Sequence, residues 1–258
     1  MAQLGRLIIS KKLYSDYFEK LTKIVKPRKK IFVNFDLRNF FLTISLPYFK
    51  KLKIFHRSSS PLMIKADNDN DRIYIYFKKK QILPDFIFFT LAILPRYQRL
   101  GVPIFFSQAL REKLEQAGKK IFFIKTGHFY FKQAYRKYNL DLAFEPSGHF
   151  YCFKDLKTEA PYLVLAYFLQ LANFDNLPKF NLRRLSLKVK KNFNLERLIK
   201  QIQKEFSFKL KRFDGFFLSK ENNYLHLRKS KTELKLRISF EGDFKLFQEL
   251  KKKWFMKI

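Results

Sequence analysis

The sequence predicts an α/β chain that closes with a small α+β domain built on an antiparallel sheet. Three observations carry this. Strand-like and helix-like patterns alternate through residues 81–180, as in an α/β layer with parallel strands. After Asn181 a strand leads into one strongly amphipathic helix, and short strands and a last helix follow. At 258 residues the chain is long enough for two domains, or for three small ones, with real cores. The segment bounds read this way are 1–80, 81–180 and 181–258.

The first segment opens with a helical pattern over Tyr14–Val25, which Pro27 and the basic run Arg28–Lys30 interrupt. Strand Ile31–Phe35 follows. A second strand is read at Leu62–Lys65, then an acidic loop, then Arg72–Phe77, whose alternating Ile and Tyr give a period of two. In the middle segment Ser107 is placed to cap a helix with Leu110, Leu114 and Ala117 on one face, closed by Gly118. Ile121–Ile124 reads as a short buried strand, and a helix runs from the KTGH segment to about Tyr138. A strand at Phe150–Phe153 and a helix at Tyr162–Ala172 complete it. The last segment has strand Leu185–Val189 and a helix striped by Leu195, Leu198, Ile199, Ile202 and Phe206. Strands Phe208–Arg212, Phe216–Leu218, Tyr224–Leu227 and Leu236–Phe240 follow, with Asp214-Gly215 as a turn. Phe244–Trp254 is the closing helix.

Composition narrows the class. Apolar residues are 47% of the chain, too many for a disordered polymer. Its longest apolar stretches, Phe86–Leu94 and Tyr162–Leu169, fall short of the roughly 18–20 residues a spanning helix needs. The opening MAQLGRLIIS lacks a basic stretch, a sustained apolar run and a small-residue cleavage site. Cys152 is alone, so no internal disulfide can form, and a reducing cytoplasm is the expected setting. The net charge of +32 would suit nucleic acid or an anionic membrane. Yet the 33 Phe and 7 Gly point to A+T-rich coding drift, which raises Phe and Lys together without a polyanion. The basic residues are also spread along the chain and form no single arm or stripe.

Chemistry gathers in three places. Asp67, Asp69 and Asp71 alternate within one loop, where three carboxylates repel unless a cation sits among them. Oxygen-only ligands are what hard Mg2+ prefers. A calcium loop of the EF-hand type would need Gly and Glu where this chain has Arg72 and Lys78. A solvated acidic turn is the plainer alternative. Glu145, Ser147 and His149 alternate on a second loop and suit sugar hydroxyls, while Lys125 and His128 could bind phosphate or relay a proton. Ordinary turns with polar caps would look the same. Arg228, Ser230 and Thr232 offer a guanidinium and two hydroxyls, an inventory for a phosphomonoester, or else a charged hairpin tip.

The segments ADNDNDR, IKTGHFYFK, FEPSGHFYCFKD and RKSKTELKLRISFEG occur in an order and at spacings that resemble the α-D-phosphohexomutases, the phosphomannomutase/phosphoglucomutase family. That family carries a D-x-D-x-D-R metal loop, a K-x-G-H segment, a G-E-x-S-G-H sugar loop and an R-x-S-x-T-E-P phosphate loop. The resemblance covers residues 60–258 well, and the stretch before it loosely, as a shortened second domain. It implies two mutase-type α/β domains, the first shortened, then a C-terminal phosphate-binding domain. By the same resemblance Asp67, Asp69 and Asp71 would hold Mg2+, with Arg72 beside the transferring phosphoryl group. Glu145, Ser147 and His149 would grip the sugar. Lys125 and His128 would line the cleft, His128 as a proton-transfer candidate, and Arg228, Ser230 and Thr232 would hold the other phosphate. The implied partner is a hexose phosphate, of mannose or glucose.

Departures from the family pattern are as informative. Its phosphoserine sits in a T-A-S-H-N-P-type loop far ahead of the metal loop, and no such motif occurs here. Ser58-Ser59-Ser60-Pro61 is the nearest serine cluster, without the flanking His-Asn. Phe144, Leu234 and Lys231 stand where the family has Gly, Pro and Asn, and the turn after Ile31–Phe35 reads DLRN. Three readings follow. The chain is one piece of a mutase whose serine-bearing first domain lies on a separate chain or upstream. It is a degenerate sugar-phosphate binder without catalysis. Or it is a basic module for nucleic acid or membrane phosphates, which the charge alone favours.

Overall fold

The computed structural model describes residues 11–177, 181–230 and 233–257. In chain order the first elements are α1 (Lys11–Ile24), β1 (Ile31–Phe35), α2 (Phe40–Lys51), β2 (Ile54–His56), β3 (Leu62–Ala66), β4 (Ile73–Phe77), β5 (Lys80–Gln81) and α3 (Pro84–Ala92). Next come β6 (Arg99–Val102), α4 (Gln108–Gln116), β7 (Lys120–Phe123), α5 (His128–Tyr138), β8 (Leu142–Phe144), β9 (Phe150–Cys152), α6 (Phe153–Leu156), β10 (Thr158–Glu159) and α7 (Pro161–Leu171). The last are β11 (Leu182–Lys188), α8 (Leu195–Phe206), β12 (Lys209–Arg212), β13 (Phe216–Lys220), β14 (Asn223–Lys229), β15 (Lys235–Glu241) and α9 (Phe244–Lys253), closed by a 3-10 turn at Phe255–Lys257. The mixed α/β class with a terminal antiparallel sheet is therefore the observed one.

By packing, the chain divides into two compact units, residues 1–98 with 140–175 and residues 99–139 with 176–258. In the first unit the strand order is β2-β1-β3-β4-β5. Parallel pairs join β1 to β2 and to β3, and antiparallel pairs carry the sheet on through β4 and β5. The alternation read in RIYIYF is real: Ile73 and Ile75 are buried while Tyr74 and Tyr76 are half-buried on the other face. Helix α7 lies at the centre, buried from Pro161 to Gln170, which is why its sequence is apolar all round. Its one strongly polar residue is hydrogen-bonded through both amide atoms. Gln170 Oε1 accepts from the backbone N–H of Arg28 and Lys29 at 2.7 and 3.0 Å, and its Nε2 donates to Leu52 O at 2.6 Å.

Strands β8, β9 and β10 of this unit pair antiparallel, not parallel as the middle segment predicted. Only Glu145–His149 separates β8 from β9, and a parallel crossover needs a dozen residues or more. In the second unit β6 and β7 do run parallel, with α4 between them, and Ser107 caps α4 by accepting from Leu110 N.

The C-terminal sheet, order β11-β15-β14-β13-β12, is antiparallel throughout. Its register sets Phe216, Leu218, Leu225, Leu227, Leu236, Ile238 and Phe240 on one face. Helices α8 and α9 close over them with Ile199, Ile202, Phe247 and Leu250. Both helices thus cover one face, as the α+β reading required. The other face carries His226, Arg228 and Arg237.

Candidate functional site

The loop between β3 and β4 is a tight hairpin built by its own polar residues. Asp67 Oδ1 accepts from Arg72 N at 3.2 Å, and Asn70 N donates to Asp67 O at 3.3 Å with Asn70 at φ +61°. Outside partners pin it. Asn39 Nδ2 donates to Asp67 O at 3.1 Å, and Tyr162 on α7 donates its hydroxyl to Asn70 Oδ1 at 3.0 Å. Asp69 is at the exposed tip. One ligand oxygen from each of Asp67, Asp69 and Asp71 lies within 4.8 Å of the others.

The second loop, Glu145–His149, closes on itself through Glu145 N to His149 O at 2.9 Å and Gly148 N to Glu145 O at 3.0 Å. Gly148 has φ +105°, and a Cβ there would meet Ile73 O at 3.3 Å and Arg72 Cβ at 3.4 Å. A glycine is what lets this loop approach the metal loop so closely. The approach brings Arg72 Nε–H onto His149 Nε2 at 2.9 Å, joining residues 77 apart in the chain. Glu145 turns inward, 5% exposed, and its Oε1 accepts from the Tyr151 hydroxyl at 3.0 Å. Ser147 is exposed. Glu159, from β10, brings Oε1 to 3.6 Å from His149 Nδ1, the same distance as Asp71 Oδ2.

Electrostatically the loop pair is short of positive charge despite the chain's composition. Asp67 Oδ2 and Asp71 Oδ1 are buried and receive no hydrogen bond from any described residue. Arg72 Nε is 3.5 and 3.7 Å from them, but its single proton already goes to His149. Burial first, then neighbouring Asp residues, holds the Asp67 and Asp71 carboxyls above their ordinary range. Burial likewise pushes His149 below its ordinary value. A cation among the three aspartates would relieve that repulsion, and an all-oxygen donor set fits Mg2+. The alternative trio of Asp71, His149 and Glu159 also has ligand atoms within 4.8 Å. It fits a metal poorly. Arg72 can only donate, so it occupies the lone pair of Nε2, and the neutral ring then carries its proton on Nδ1.

A second cluster lies in the other unit. Arg228 on β14 is 18% exposed in its side chain, and its Nε stands 3.9 Å from Asp214 Oδ2 without a hydrogen bond. Asp214 Oδ2 accepts from Thr126 N at 2.9 Å and from the Thr126 hydroxyl. This ties the KTGH segment to the turn before β13. The turn needs Gly215 at φ +115°, where a Cβ would come within 2.6 Å of Leu227 O. Lys125 and His128 flank Thr126 and are exposed, with Gly127 at the N-terminus of α5. Ser230 N donates to Lys235 O at 2.8 Å, while Thr232 lies outside the described residues.

Against known proteins, residues 90–174 match the family model described as phosphoglucomutase/phosphomannomutase, alpha/beta/alpha domain III. No curated protein sequence matches. Among solved structures, a phosphoglucomutase/phosphomannomutase family protein from Burkholderia thailandensis superposes with TM-score 0.75 at 17% identity. That match covers 94% of this chain and 63% of the other. The chain has the α-D-phosphohexomutase fold. An N-acetylphosphoglucosamine mutase from Aspergillus fumigatus, solved with GlcNAc-6P and magnesium, gives TM-score 0.60 at 13% identity over 93% of this chain and 68% of that one. The phosphoglucomutase parafusin from Paramecium gives TM-score 0.59 at 11% identity over 89% and 56%. The chain spans 63% of the length of the Burkholderia protein.

Two acids beside these loops escaped the sequence reading. Asp214 registered only as a turn residue, and Glu159 carried no motif. The one signal available was scarcity, since only 22 acidic residues stand against 54 basic ones.

Proposed function

We propose that this chain binds Mg2+ and a hexose phosphate at a phosphohexomutase-type site and takes part in intramolecular phosphoryl transfer together with a serine-bearing domain, either on a separate chain or upstream of this sequence. The observation that carries the reading is the pair of buried carboxylate oxygens, Asp67 Oδ2 and Asp71 Oδ1, that no described donor reaches. Asp67, Asp69 and Asp71 would hold the ion, which would supply positive charge at a phosphoryl oxygen. Arg72 would add a guanidinium beside it, held on one side by His149. Glu145, Ser147 and His149 would address sugar hydroxyls, Lys125 and His128 would line the cleft, and His128 would move a proton. Arg228, Ser230 and Thr232 would take the phosphate that stays.

The same reading makes 1–80 a shortened second mutase domain, 81–180 a third and 181–258 the phosphate-binding one. Mannose and glucose phosphates are the first substrates to test. The lone, buried Cys152 agrees with a reducing cytoplasm, and no helix among the described residues is long and apolar enough to cross a membrane. Nucleic acid is not needed to account for the charge.

A binder without catalysis is the second reading. It is favoured by Phe144, which stands where the family's glycine would be and is fully buried, stacked on Phe88 at 4.6 Å. Titration calorimetry with mannose 1-phosphate and glucose 1-phosphate, with and without Mg2+, tests binding. Loss of affinity in Arg228→Ala by roughly tenfold or more is expected for a charge-assisted phosphate contact. A mutase assay with a hexose bisphosphate primer then tests turnover. Robust turnover by this chain alone would mean that it contains its own nucleophile, and absence of any Mg2+ or sugar-phosphate binding would end the proposal.

A further inference from the structure

We infer that Asn39 and Tyr162 are positioning residues: from two helices they hold the aspartate loop in the shape a small cation needs, and so make it prefer Mg2+ to Ca2+. The inference rests on the Mg2+ site proposed above and adds what sets its selectivity. Without support the loop is a poor cage. Its three carboxylates repel, and turning any one of them out into water relieves the repulsion. The hairpin's backbone bonds resist this weakly, for they are long. Asp67 N to Arg72 O is 3.4 Å and Asn70 N to Asp67 O is 3.3 Å, against about 2.9 Å for a good N–H···O bond.

Two outside ties supply the support. Asn39 caps α2, where its Oδ1 accepts from Leu42 N at 3.0 Å, and its Nδ2 donates to Asp67 O at 3.1 Å. With both ends of one planar amide engaged, the start of the loop is fixed to the start of the helix. Helix α2 is itself anchored in the core, Phe49 stacking on Phe35 of β1 at 5.2 Å. Tyr162 comes from the first turn of α7 and is 5% exposed, its ring edge-on to Phe18 at 5.5 Å. Its hydroxyl donates to Asn70 Oδ1 at 3.0 Å, and Asn70 Nδ2 donates onward to Asn68 O at 3.1 Å. Asn70 stands at φ +61°, immediately before Asp71. The ties therefore grip the loop at Asp67 and next to Asp71, the two acids with buried oxygens that no described donor reaches. Asp67 O already accepts from both Asn70 N and Asn39 Nδ2, which leaves the carboxylates as the ligands. Mg2+ demands near-octahedral geometry at about 2.0–2.1 Å, whereas Ca2+ accepts irregular shells at about 2.3–2.6 Å. A loop ordered before the ion arrives meets the stricter demand with no ordering left to do at binding. A loosened loop still suits Ca2+.

The test needs no turnover and no sugar. The full chain is titrated with Mn2+, a hard divalent probe read by EPR, and bound Mn2+ is displaced by Mg2+ or by Ca2+ to give both affinities. Tyr162→Phe removes one hydroxyl and keeps the ring. Asn39→Ser keeps an oxygen for the helix cap but cannot reach Asp67 O. In each, Mg2+ affinity should fall roughly threefold to tenfold, the effect of one hydrogen bond, and Ca2+ affinity by less than about twofold. Ser45→Ala loses a hydroxyl bonded to Leu42 O at 2.7 Å and leaves both ties in place, so it should keep the native preference. A merely structural role for Asn39 and Tyr162 would lower the melting temperature and leave the ratio of the two affinities unchanged. Unchanged Mg2+ affinity in the variants, or equal losses for the two ions, overturns the inference while the Mg2+ site stands. If one variant fails to fold, the other decides. A native chain that binds none of the three ions refutes the function proposed above, and the inference falls with it.

Discussion

Acid should unfold the C-terminal sheet through one residue, His226, and the size of the effect follows from its surroundings. The imidazole is 3% exposed, stacked on Phe105 with ring centroids 4.4 Å apart, and its Nε2–H donates to Asp214 O at 2.9 Å. Burial, reinforced by the Arg228 charge, lowers its pKa from 6.5 to about 4. The unfolded chain therefore takes up a proton near pH 6.5 that the folded chain refuses until about pH 4. Stability from this group is complete above 6.5 and is lost as pH falls through the window. By linkage the loss is about 2 kcal/mol at pH 5 and about 3 kcal/mol at pH 4. His226→Gln keeps an N–H donor and removes the titration, so its stability should fall less over the same range by those amounts. Trp254 is the only tryptophan and packs against the core of this sheet, so its fluorescence in urea titrations from pH 7.5 to 4 reads the right part of the chain. Parallel loss of stability in the two proteins would show that His226 titrates normally, and the burial argument would fail with it.

Two further outcomes are expected. Asp71→Asn removes a carboxylate that burial and its neighbours hold above its ordinary pKa; without metal its melting temperature should rise by about 2–4 °C, for a gain of roughly 1 kcal/mol, while the rise expected on adding Mg2+ to the native chain should disappear. An undiminished response to Mg2+ in differential scanning fluorimetry would remove Asp71 from the metal site. Asp214→Asn keeps an oxygen for Thr126 but takes away the negative charge 3.9 Å from Arg228, so inorganic phosphate and glucose 1-phosphate should bind roughly threefold to tenfold more tightly at low salt. Weaker binding by calorimetry would mean that Asp214 aims Arg228 instead of restraining it.

What was legible in the sequence was what has a period. The strands with one buried face, such as β4, and the striped helix α8 declared themselves because burial on one side imposes alternation or a stripe. Helix α2 did not: FFLTISLPYFKK has little polarity to separate, and Pro47 sits inside it, where proline usually ends a helix. Helix α3 was visible only as an apolar run, because it is buried on nearly all sides and has no polar face to mark its period. The functional loops were legible as an ordered set of motifs, yet their contacts were not. Arg72 meets His149 across 77 residues and Thr126 meets Asp214 across 88, distances at which spacing says nothing. Glu159 was invisible for the same reason: its place 3.6 Å from His149 Nδ1 comes from where β10 runs beside β9, at the pairing of Glu159 with Tyr151.

The acids of this basic chain also sort themselves without any family comparison. A buried carboxylate is costly unless donors surround it. Asp155 has Arg96 and the Tyr97 hydroxyl. Glu241 collects the Ser107 hydroxyl at 2.9 Å and the backbone N–H groups of Gln108 and Ala109 at 2.5 and 3.3 Å, at the start of α4 where negative charge is favoured. Asp214 has Thr126 twice over. These acids are compensated by the protein itself, and their work is to hold loops and helix ends in place. Asp67 and Asp71 are the exceptions: each has a buried oxygen that no described donor reaches, they repel each other, and the nearest cation has its Nε proton committed to His149. A fold does not keep two such groups together for stability, since either one alone as asparagine would be cheaper. Compensation from outside the chain would make the arrangement reasonable, and a hard divalent cation would match in charge and ligand preference the oxygens left over.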